Sequence, residues 1–422
     1  MLIRHTMPED FLVRLARGDG GAALTFLINT QRSKNALLIR ALRDTAVRLS
    51  HPRAASIDAA YGMLRRSPPA GAEVLAHPSV AHWAMHTLAR MLLPDGGAAS
   101  PGRLGLVALA AAIRGGTGAD LVLPAGELHP RGLPLPSLGF LRLDAVDGDQ
   151  RIRVDAPAGV LRVNGRVYPL AGAGIDSPDW LPADRLELGA GRWRWTLAVD
   201  DPHTLGPDAE PLIGPDRLPG WHKRIEAGWE HLVRYHPAGA VDVRAAIRTL
   251  FPLPPVESGH VSGTYRHASG CLAVSLPTDP QTTAATLLHE LGHLKLSAVM
   301  DLFELVDMSA DEVRYVPWRD DPRPLSGMLQ GAYAHLVVAG FWRREGRRLG
   351  GEALIEYARW RMAAAEVCAD LLESGRLTAV GRRFVTAMTG RLAGWAADRL
   401  PGGALAEATR LNADHRARWA GR

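Results

Sequence analysis

Cysteine is almost absent from this chain of 422 residues. The two cysteines, Cys271 and Cys368, lie far apart and outside any C-x-x-C spacing, so neither a disulfide framework nor a thiolate zinc site is indicated. The chain also lacks an uninterrupted apolar run of about 18 residues, the length that a membrane-spanning helix needs. Its first residues, MLIRHTMPEDFLVRLARGDGG, carry acids and arginines where a signal peptide would be apolar. We therefore expect a cytoplasmic protein with no membrane partner.

Lysine is scarce as well, because arginine supplies nearly all of the positive charge and lysine occurs only as Lys34, Lys223 and Lys295. The formal net charge of +5 raises the question of a nucleic-acid partner. The arginines, however, are interleaved with acids along the chain, and the dense groups at 343–348 and 382–383 are typical of solvated helix faces. We therefore expect no nucleic-acid partner. A content of 47% hydrophobic and 22% charged residues is that of a globular protein with a substantial core.

Three regions of the chain differ in their hydrophobic pattern. Residues 1–118 have apolar residues at three-and-four spacing between glycine and proline clusters, which predicts a helical region. Residues 119–205 have short alternating runs such as GFLRLDAV and GRWRWTLAVDD, which predict a β-rich region. A proline-rich segment at 201–220 spans the next boundary and is predicted to be a long loop or linker. The rest of residues 206–422 is predicted to be mostly helical. The predicted fold class is α+β, with a helical N-terminal region, a β-rich middle and a mostly helical C-terminal domain.

The stretch LLHELGHLKL contains an H-E-x-x-H motif, with His289 and His293 one helical turn apart and Glu290 beside the first. The surrounding sequence lacks proline and has apolar residues at helical spacing, with Thr282 and Thr283 as candidate N-caps. Side chains four apart on a helix lie about 5–6 Å apart at Cβ, so both imidazoles can reach one metal ion. A hairpin predicted in HVSGTYRHASGCLAVSLP offers a strand edge that can hold an extended peptide. A strand edge followed by such a helix resembles the zincin arrangement, so we predict that 206–422 is a metal-binding catalytic domain.

A catalytic metal site needs a third protein ligand, and the candidates imply different chemistry. Glu312 has the spacing of the third ligand in thermolysin-like enzymes, but the prolines that follow it leave no long helix to carry it. The metzincin extension is absent, because LKLSAVMD follows His293. His335, in LQGAYAHLVVAGFW, lies on a predicted helix that can pack back against the first, and we predict that it is the third ligand. Gln330, on the same helix, is expected to face another way and at best to support a ligand through a hydrogen bond.

A proline-rich turn between the two helices, YVPWRDDPRPLSG, carries Arg319 and Arg323 beside Asp320 and Asp321. One interpretation is a salt-bridged turn that the prolines make rigid. The other is a binding site for a carboxylate, because guanidinium groups pair bidentately with planar anions and keep their charge when buried. The residues alone leave both interpretations open.

Residues 285–345 resemble a known family, the H-E-x-x-H-motif proteins encoded near gene clusters for ribosomally made peptide natural products. The likeness lies in HELGHLKLSAVMDL followed by YVPWRDDPRPLSGMLQGAYAHLVVAGFW, a combination much more specific than H-E-x-x-H alone. Members of this family are described as 2-oxoglutarate-dependent iron enzymes that hydroxylate the β-carbon of residues in ribosomally made peptides. The resemblance implies the same dioxygenase activity for this chain, with a precursor peptide as its substrate and partner.

The resemblance also implies cofactors and residue roles. Fe(II) would be held by His289, His293 and His335, three neutral ligands in place of the commoner two histidines and one carboxylate. The far carboxylate of 2-oxoglutarate would pair with Arg323, with Arg319 as the second choice. We therefore expect Fe(II) and 2-oxoglutarate as cofactors.

Glu290 separates this interpretation from its main alternative, a zinc metallopeptidase. In the peptidase Glu290 would be the general base that activates water, whereas hydroxylation needs no such base and would leave Glu290 to orient a ligand or a water. A further alternative is a non-catalytic binding or scaffold protein that retains a metal site without using it. No feature of the sequence specifies an oligomeric state.

Overall fold

The computed structural model describes residues 4–93, 99–172, 174–201, 203–205, 218–257, 259–307 and 312–421. Its helices are α1 (Glu9–Ala16), α2 (Ala22–Arg48), α3 (Ala54–Arg66), α4 (Pro68–Leu75), α5 (Pro78–Met91), α6 (Leu104–Gly115), α7 (Leu218–Tyr235), α8 (Pro237–Ala246), α9 (Pro280–Met300), α10 (Leu325–Leu349), α11 (Gly351–Glu373), α12 (Ala379–Ala396) and α13 (Gly402–Ala420). Its strands are β1 (Ala119–Pro124), β2 (Gly132–Leu135), β3 (Gly139–Arg142), β4 (Asp149–Asp155), β5 (Val160–Val163), β6 (Arg166–Ala171), β7 (Gly174–Ile175), β8 (Trp180–Pro182), β9 (Asp184–Ala190), β10 (Trp193–Val199), β11 (Thr249–Pro252), β12 (Ser262–Gly263), β13 (Cys271–Val274), β14 (Val313–Val316) and β15 (Arg319–Pro324).

The N-terminal region is helical, as the sequence predicts. Helix α6, LGLVALAAAIRG, has apolar residues on every side and is buried from Leu104 to Ile113. A helix that is hydrophobic all round is stable only inside a core, and α6 accordingly packs against α3, α4, β1 and β2. It ends at Gly116, which has φ 59°, the left-handed conformation that glycine adopts without strain.

The middle of the chain is rich in strands. Strands β1, β4, β5, β6 and β7 form an antiparallel sheet in that order, and β2, β3 and β8 form a second antiparallel sheet. In β4, DQRIRVD, exposed and buried residues alternate, because successive side chains of a strand point to opposite faces. The buried set, which includes Ile152 and Val154, shares one core with α6.

A third sheet joins two of the regions that the sequence distinguishes. Its strand order is β12, β13, β11, β10, β9. The β9–β10 hairpin belongs to residues 119–205, whereas the other three strands belong to 206–422. Strands β10 and β11 pair in parallel, with Ala198 opposite Thr249. The pairing therefore crosses the predicted boundary, and the predicted linker at 201–220 lies largely outside the described residues.

Helices α7 and α9 share a core with this third sheet. The core includes Trp195 of β10, Trp229 of α7, and Leu287 and Leu291 of α9. Helix α9 also packs against α10, and α10 packs against α11. A neighbouring core joins α10, α11 and α12 to the N-terminal helix α1 through Leu15. The H-E-x-x-H helix is thereby held between a sheet and a helical layer.

The coarse fold class is confirmed: the chain is mixed α and β, with helical N-terminal and C-terminal regions. The metal-binding role of the C-terminal domain stays a prediction at this point. Among the described helices, none combines the length and the apolar composition that crossing a bilayer requires.

Candidate metal centre

Helix α9 carries the H-E-x-x-H motif and begins with a well-formed cap. Asp279 is the N-cap residue, and its Oδ1 accepts hydrogen bonds from the backbone N–H groups of Gln281 and Thr282. Pro280 follows at the first helical position, where its missing N–H costs nothing. The prediction of a threonine cap was wrong, because Thr283 instead donates its hydroxyl to the backbone carbonyl of Asp279.

His289 and His293 direct the same ring nitrogen toward one point. Their Nε2 atoms are 3.1 Å apart, and their ring centroids are 4.8 Å apart. The Nδ1 of His293 lies 3.0 Å from Oε1 of Gln330, so the amide oxygen accepts the Nδ1 proton and leaves the Nε2 lone pair free. Gln330 was expected to face another way, but it lies beside His293 in the supporting role that the sequence allowed it at best. The two histidines have the arrangement of paired metal ligands on a helix.

His335 approaches the same point from helix α10. Its ring centroid lies 5.2 Å from that of His289, and its Nδ1 donates to the backbone carbonyl of Gly331 at 2.8 Å, which leaves Nε2 free. The close approach of the two helices depends on Gly292, where an added Cβ would lie 3.1 Å from the Cα of Ala334. Burial lowers the pKa of His335 to about 3, so the ring is neutral and able to bind a metal.

Two tryptophans enclose the ring of His335. Trp318 stacks on it with centroids 4.5 Å apart and planes 17° apart, and Trp360 lies at 4.5 Å on a plane tilted by 35°. Trp318 can occupy this position because Gly331 has no side chain: an added Cβ would lie 2.5 Å from the indole. The orientation of this candidate ligand is therefore fixed by packing as well as by its Nδ1 hydrogen bond.

Glu290 points into the site from α9 and is 1% exposed. Its Oε1 accepts a hydrogen bond of 2.6 Å from the Ser262 hydroxyl, whereas its buried Oε2 has no hydrogen-bond partner among the described residues. Burial raises the pKa of Glu290, although the Ser262 hydrogen bond and His293 act in the opposite direction. An unpartnered buried carboxylate oxygen beside imidazole rings fits a site that takes a metal ion or a metal-bound water.

The residues predicted from the sequence line a single cavity of about 640 Å³. The three histidines and Glu290 line it, and so do Arg319 and Arg323. Sequence reasoning missed several further lining residues, namely Ser262, Gly263, Thr264, Arg266, Trp318 and Trp360. Ser262 and Arg266 come from the β12–β13 hairpin, which was predicted but whose position beside α9 depends on tertiary packing.

The two arginines belong to a β-hairpin formed by β14 and β15. Both pair with one carboxylate: Nε of Arg319 lies 2.8 Å from Oδ1 of Asp321, and Nη1 of Arg323 lies 3.0 Å from Oδ2. This is the salt-bridged turn that the sequence allowed, placed at the edge of the cavity. Glu312, which thermolysin-like spacing would make a ligand, pairs instead with Arg314. A carboxylate ligand entering the cavity would compete with Asp321 for the guanidinium groups.

A second group of donor atoms lies away from the cavity. The ligand atoms of His231, His236 and Glu345 lie within 4.8 Å of one another, close enough to hold a metal ion. Nε2 of His236 donates to Oε1 of Glu345 at 2.7 Å, while Gln281 and Arg348 donate to Oε2. The carboxylate is thus already neutralised by an arginine at 2.6 Å, which opposes the binding of a divalent cation. We interpret this group as a buried hydrogen-bond network that joins α7 to α10.

Models of known protein families gave no match to this chain, and curated proteins gave none either.

Proposed function

We propose that this chain is a dioxygenase dependent on Fe(II) and 2-oxoglutarate that hydroxylates the β-carbon of a residue in a ribosomally made precursor peptide. The observation that carries the proposal is the meeting of three histidines and two arginines in one cavity, with the Nδ1 atoms of His293 and His335 engaged in hydrogen bonds. A zinc hydrolase needs the histidines but not the arginines. The family resemblance of residues 285–345 supplies the specific reaction.

The residues present fit a metal such as Fe(II). His289, His293 and His335 would hold it through neutral nitrogens, which leaves positions for a keto acid and for dioxygen. When bound with 2-oxoglutarate, the iron supplies the oxidising chemistry: a C–H bond, dioxygen and 2-oxoglutarate give an alcohol, succinate and carbon dioxide. The protein side chains would bind the metal and hold its histidine ligands in position. Gln330 sets the tautomer of His293, and Gly331 together with Trp318 sets the orientation of His335.

The cationic side of the cavity fits the far carboxylate of 2-oxoglutarate. Arg323 and Arg319 lie on one strand, β15, and are held by the same carboxylate of Asp321. Arg266 lines the cavity too, and its nearest acidic contact is a weak one of 3.9 Å to Asp301. If one of these guanidinium groups released Asp321 and bound the far carboxylate of the keto acid instead, it would fix the distance between that carboxylate and the metal.

The part of the cavity lined by β12 fits an extended peptide. Strand β12 is the terminal strand of the third sheet and pairs antiparallel with β13, through Ser262 opposite Val274 and Gly263 opposite Ala273. Both β12 residues line the cavity, and a Cβ added at Gly263 would meet no atom within 4 Å. A peptide strand added to this edge would pass its side chains alternately toward and away from the three histidines.

The test is anaerobic visible absorption of the metal-free protein during titration with Fe(II) and then 2-oxoglutarate. The proposal expects a charge-transfer band that requires both additions and weakens in Arg323→Ala. Arg383→Ala is the matched control, because Arg383 is an exposed arginine paired with Glu9 outside the cavity. A protein that retains zinc tightly and gives no band with Fe(II) and 2-oxoglutarate would overturn the proposal.

A zinc metallopeptidase is the second candidate, and one observation favours it. Glu290 is buried beside the histidines with a free Oε2 and a raised pKa, which suits a general base for a metal-bound water. The peptidase would cleave peptides with zinc and would be indifferent to 2-oxoglutarate. Consumption of 2-oxoglutarate by the iron-loaded chain, measured as succinate formed, distinguishes the two candidates.

A further inference from the structure

A second cavity, of about 410 Å³, has arginines on its walls. Arg343, Arg344 and Arg347 come from the C-terminal half of α10, Arg17 follows α1 directly, and Arg391 lies on α12. Three segments that are far apart in the chain thus bring five guanidinium groups to one concave surface. Because like charges repel, an anion that binds between them is favoured. We call this site the arginine cavity.

The arginine cavity is separate from the cavity that contains the three histidines. Leu288 of α9 and Leu336 of α10 line the arginine cavity, whereas their sequence neighbours His289 and His335 line the other. Consecutive residues of an α-helix lie about 100° apart around its axis, so the two helices present different faces to the two cavities. No described residue lines both. A ligand in the arginine cavity would therefore occupy a site distinct from the candidate metal centre.

Carboxylates compensate part of the positive charge in the arginine cavity. Asp398 pairs with both Arg343 and Arg347. Asp19, which lines the cavity, lies 3.6 Å from Arg391, a separation longer than a hydrogen bond. Among the described residues, two carboxylates are thus shared by three of the five arginines.

The remaining donors are less well compensated. Arg17 is exposed, and its side chain forms no hydrogen bond or ion pair with any described residue. Arg344 donates to the backbone carbonyl at the end of α7 and pairs with no described carboxylate, since Glu345 beside it is buried and pairs with Arg348. The Nε of Arg391 is shielded from solvent and has no acceptor among the described residues. Buried donors are rarely left unpaired, so the cavity offers both uncompensated charge and an unused donor to a ligand.

The arginine cavity also has an apolar surface. Leu336, Phe341 and Trp395 line it, and all three are buried. The guanidinium carbons of Arg343 and Arg391 lie 5.6 and 5.1 Å from the ring centroid of Trp395. A buried ring beside two guanidinium groups is not an open stacking platform of the kind that single-stranded nucleic acid uses. Apolar walls beside cationic groups instead fit a compact anion that has a hydrocarbon part.

We infer that the arginine cavity binds a ligand with two or more closely spaced carboxylate or phosphate groups. Guanidinium groups bind both kinds of anion through paired hydrogen bonds and keep their charge at every physiological pH. The volume of about 410 Å³ lies within the range of small-ligand sites. A free polyanionic metabolite and the adjacent acidic side chains of a peptide share this chemistry. The site does not depend on which reaction the three histidines support.

The experiment is isothermal titration calorimetry on the metal-free full chain, at about 0.15 M NaCl to screen diffuse attraction between exposed charges. Citrate and inorganic pyrophosphate are the probes for a free polyanion, and a capped peptide of four glutamates is the probe for acidic side chains. We expect one saturable site for at least one probe. Saturation by citrate or pyrophosphate alone assigns the site to a free polyanion, and tighter binding of the peptide assigns it to acidic side chains.

Two variants test whether the arginine cavity is the site. Arg17→Ala and Arg344→Ala should each weaken binding about 10-fold, because each removes a charged donor. Both side chains are exposed and neither forms an ion pair with a described residue, so the unfolding temperature should not change. Arg410→Ala is the matched control, because it removes the same charge from an exposed position on α13 and should leave the affinity unchanged.

Four outcomes would overturn the inference. The first is that no probe saturates, and the second is that the affinity is the same in Arg17→Ala, Arg344→Ala and the unmodified chain. The third is that binding survives both variants but is lost on Arg323→Ala, which would assign it to the cavity of the three histidines. The fourth is that a single-stranded oligonucleotide of about ten bases binds more tightly than every probe, which would indicate a nucleic-acid surface. Because the protein is metal-free and no turnover is measured, failure of the proposed dioxygenase activity would leave this result untouched.

Discussion

The imidazole of His335 lies parallel to the indole of Trp318, with centroids 4.5 Å and planes 17° apart. This contact links the β14–β15 hairpin, which carries the two arginines, to the helix that carries the third candidate ligand. Trp318 lies in the turn of that hairpin, between Val316 and Arg319, which pair with each other. The candidate metal ligand and the two arginines proposed to bind a carboxylate are therefore connected through a direct packing contact.

Gly331→Ala should weaken metal binding by displacing Trp318. The new Cβ would lie 2.5 Å from the indole, so the ring must move and release His335 from its stacked orientation. We expect metal affinity to fall about 10–100-fold, and overpacking to cost about 1–3 kcal/mol of unfolding free energy. Metal titration and urea unfolding measure the two effects. Gly390→Ala is the control, because a Cβ added there meets no atom within 4 Å. It should lower neither the metal affinity nor the unfolding free energy.

Gln330→Ala should also reduce metal affinity, by about 10–100-fold, because it removes the acceptor that fixes the tautomer of His293. Ser297→Ala is the graded comparison: Ser297 accepts a 3.2 Å hydrogen bond from the Gln330 amide without contacting the histidine, so its loss should matter less. Competition with a metal-binding dye gives both affinities. Equal affinity in Gln330→Ala and in the unmodified chain would show that the histidine orients itself without the amide.

Glu290→Gln should preserve 2-oxoglutarate consumption and metal binding. The proposed hydroxylation uses no general base at this position, and the glutamine can still accept the Ser262 hydrogen bond. Succinate formation by the iron-loaded variant is the measurement. Under the peptidase alternative, the same change would lower peptide hydrolysis by about 10²–10⁴-fold, as loss of a general base does.

Asp321→Ala should tighten the binding of 2-oxoglutarate severalfold. Asp321 accepts hydrogen bonds from both Arg319 and Arg323, so it competes with an incoming carboxylate for the same guanidinium groups. Asp320→Ala is the matched control, because the neighbouring Asp320 carboxylate lies 3.6 Å from Nε2 of His415. The anaerobic charge-transfer titration reports the affinity, and weaker binding in Asp321→Ala would mean that the carboxylate positions the arginines instead of competing for them.

Asp398 should give the fold an acid-sensitive contribution to stability. Hydrogen bonds from Arg343 hold its pKa far below the usual range, aided by the Tyr357 hydroxyl. Because the folded pKa is depressed, the stabilisation is present above the unfolded value of about 3.9 and is lost as pH falls through the folded pKa. Asp398→Asn should cost about 2 kcal/mol near neutral pH, and the difference should shrink as pH falls below about 4.

Urea unfolding from neutral pH to below about pH 4 tests whether the stability difference between Asp398→Asn and the unmodified chain shrinks in acid. Asp414→Asn is the control, because Asp414 makes an exposed pair with Arg410 that contributes little. A constant difference between Asp398→Asn and the unmodified chain down to low pH would contradict the assignment of the effect to this carboxylate.

Local patterns in the sequence were enough to predict the coarse order of helical and strand-rich regions and the histidine pair, but not the short strands β11, β14 and β15. The motif lies on a helix because no proline interrupts a long apolar periodicity, and the need for a third ligand pointed to His335. The cap was missed although its signal was present: an aspartate directly before a proline, Asp279 before Pro280, is a common helix start.

The remaining features of the site depend on tertiary contacts that no local pattern contains. Ser262 bonds to Glu290 across 28 residues, and Gln330 bonds to His293 across 37. The stacking of Trp318 on His335 requires the hairpin turn to fold back over α10 at Gly331. Hydrophobic periodicity shows which face of a helix is buried, but not which side chain of another element meets it.

The parallel pairing of β10 with β11 limits where this chain can be truncated without exposing its core. An expression fragment that begins near residue 206 would keep β11, β13 and α9. It would lose β9 and β10, and with them Trp195 and Leu197 of the shared core. The bared side of β11 would offer unpaired backbone groups to other chains, a known route to aggregation. The C-terminal region is therefore not a module that can be excised or grafted alone, because strands that precede it in the chain complete its sheet.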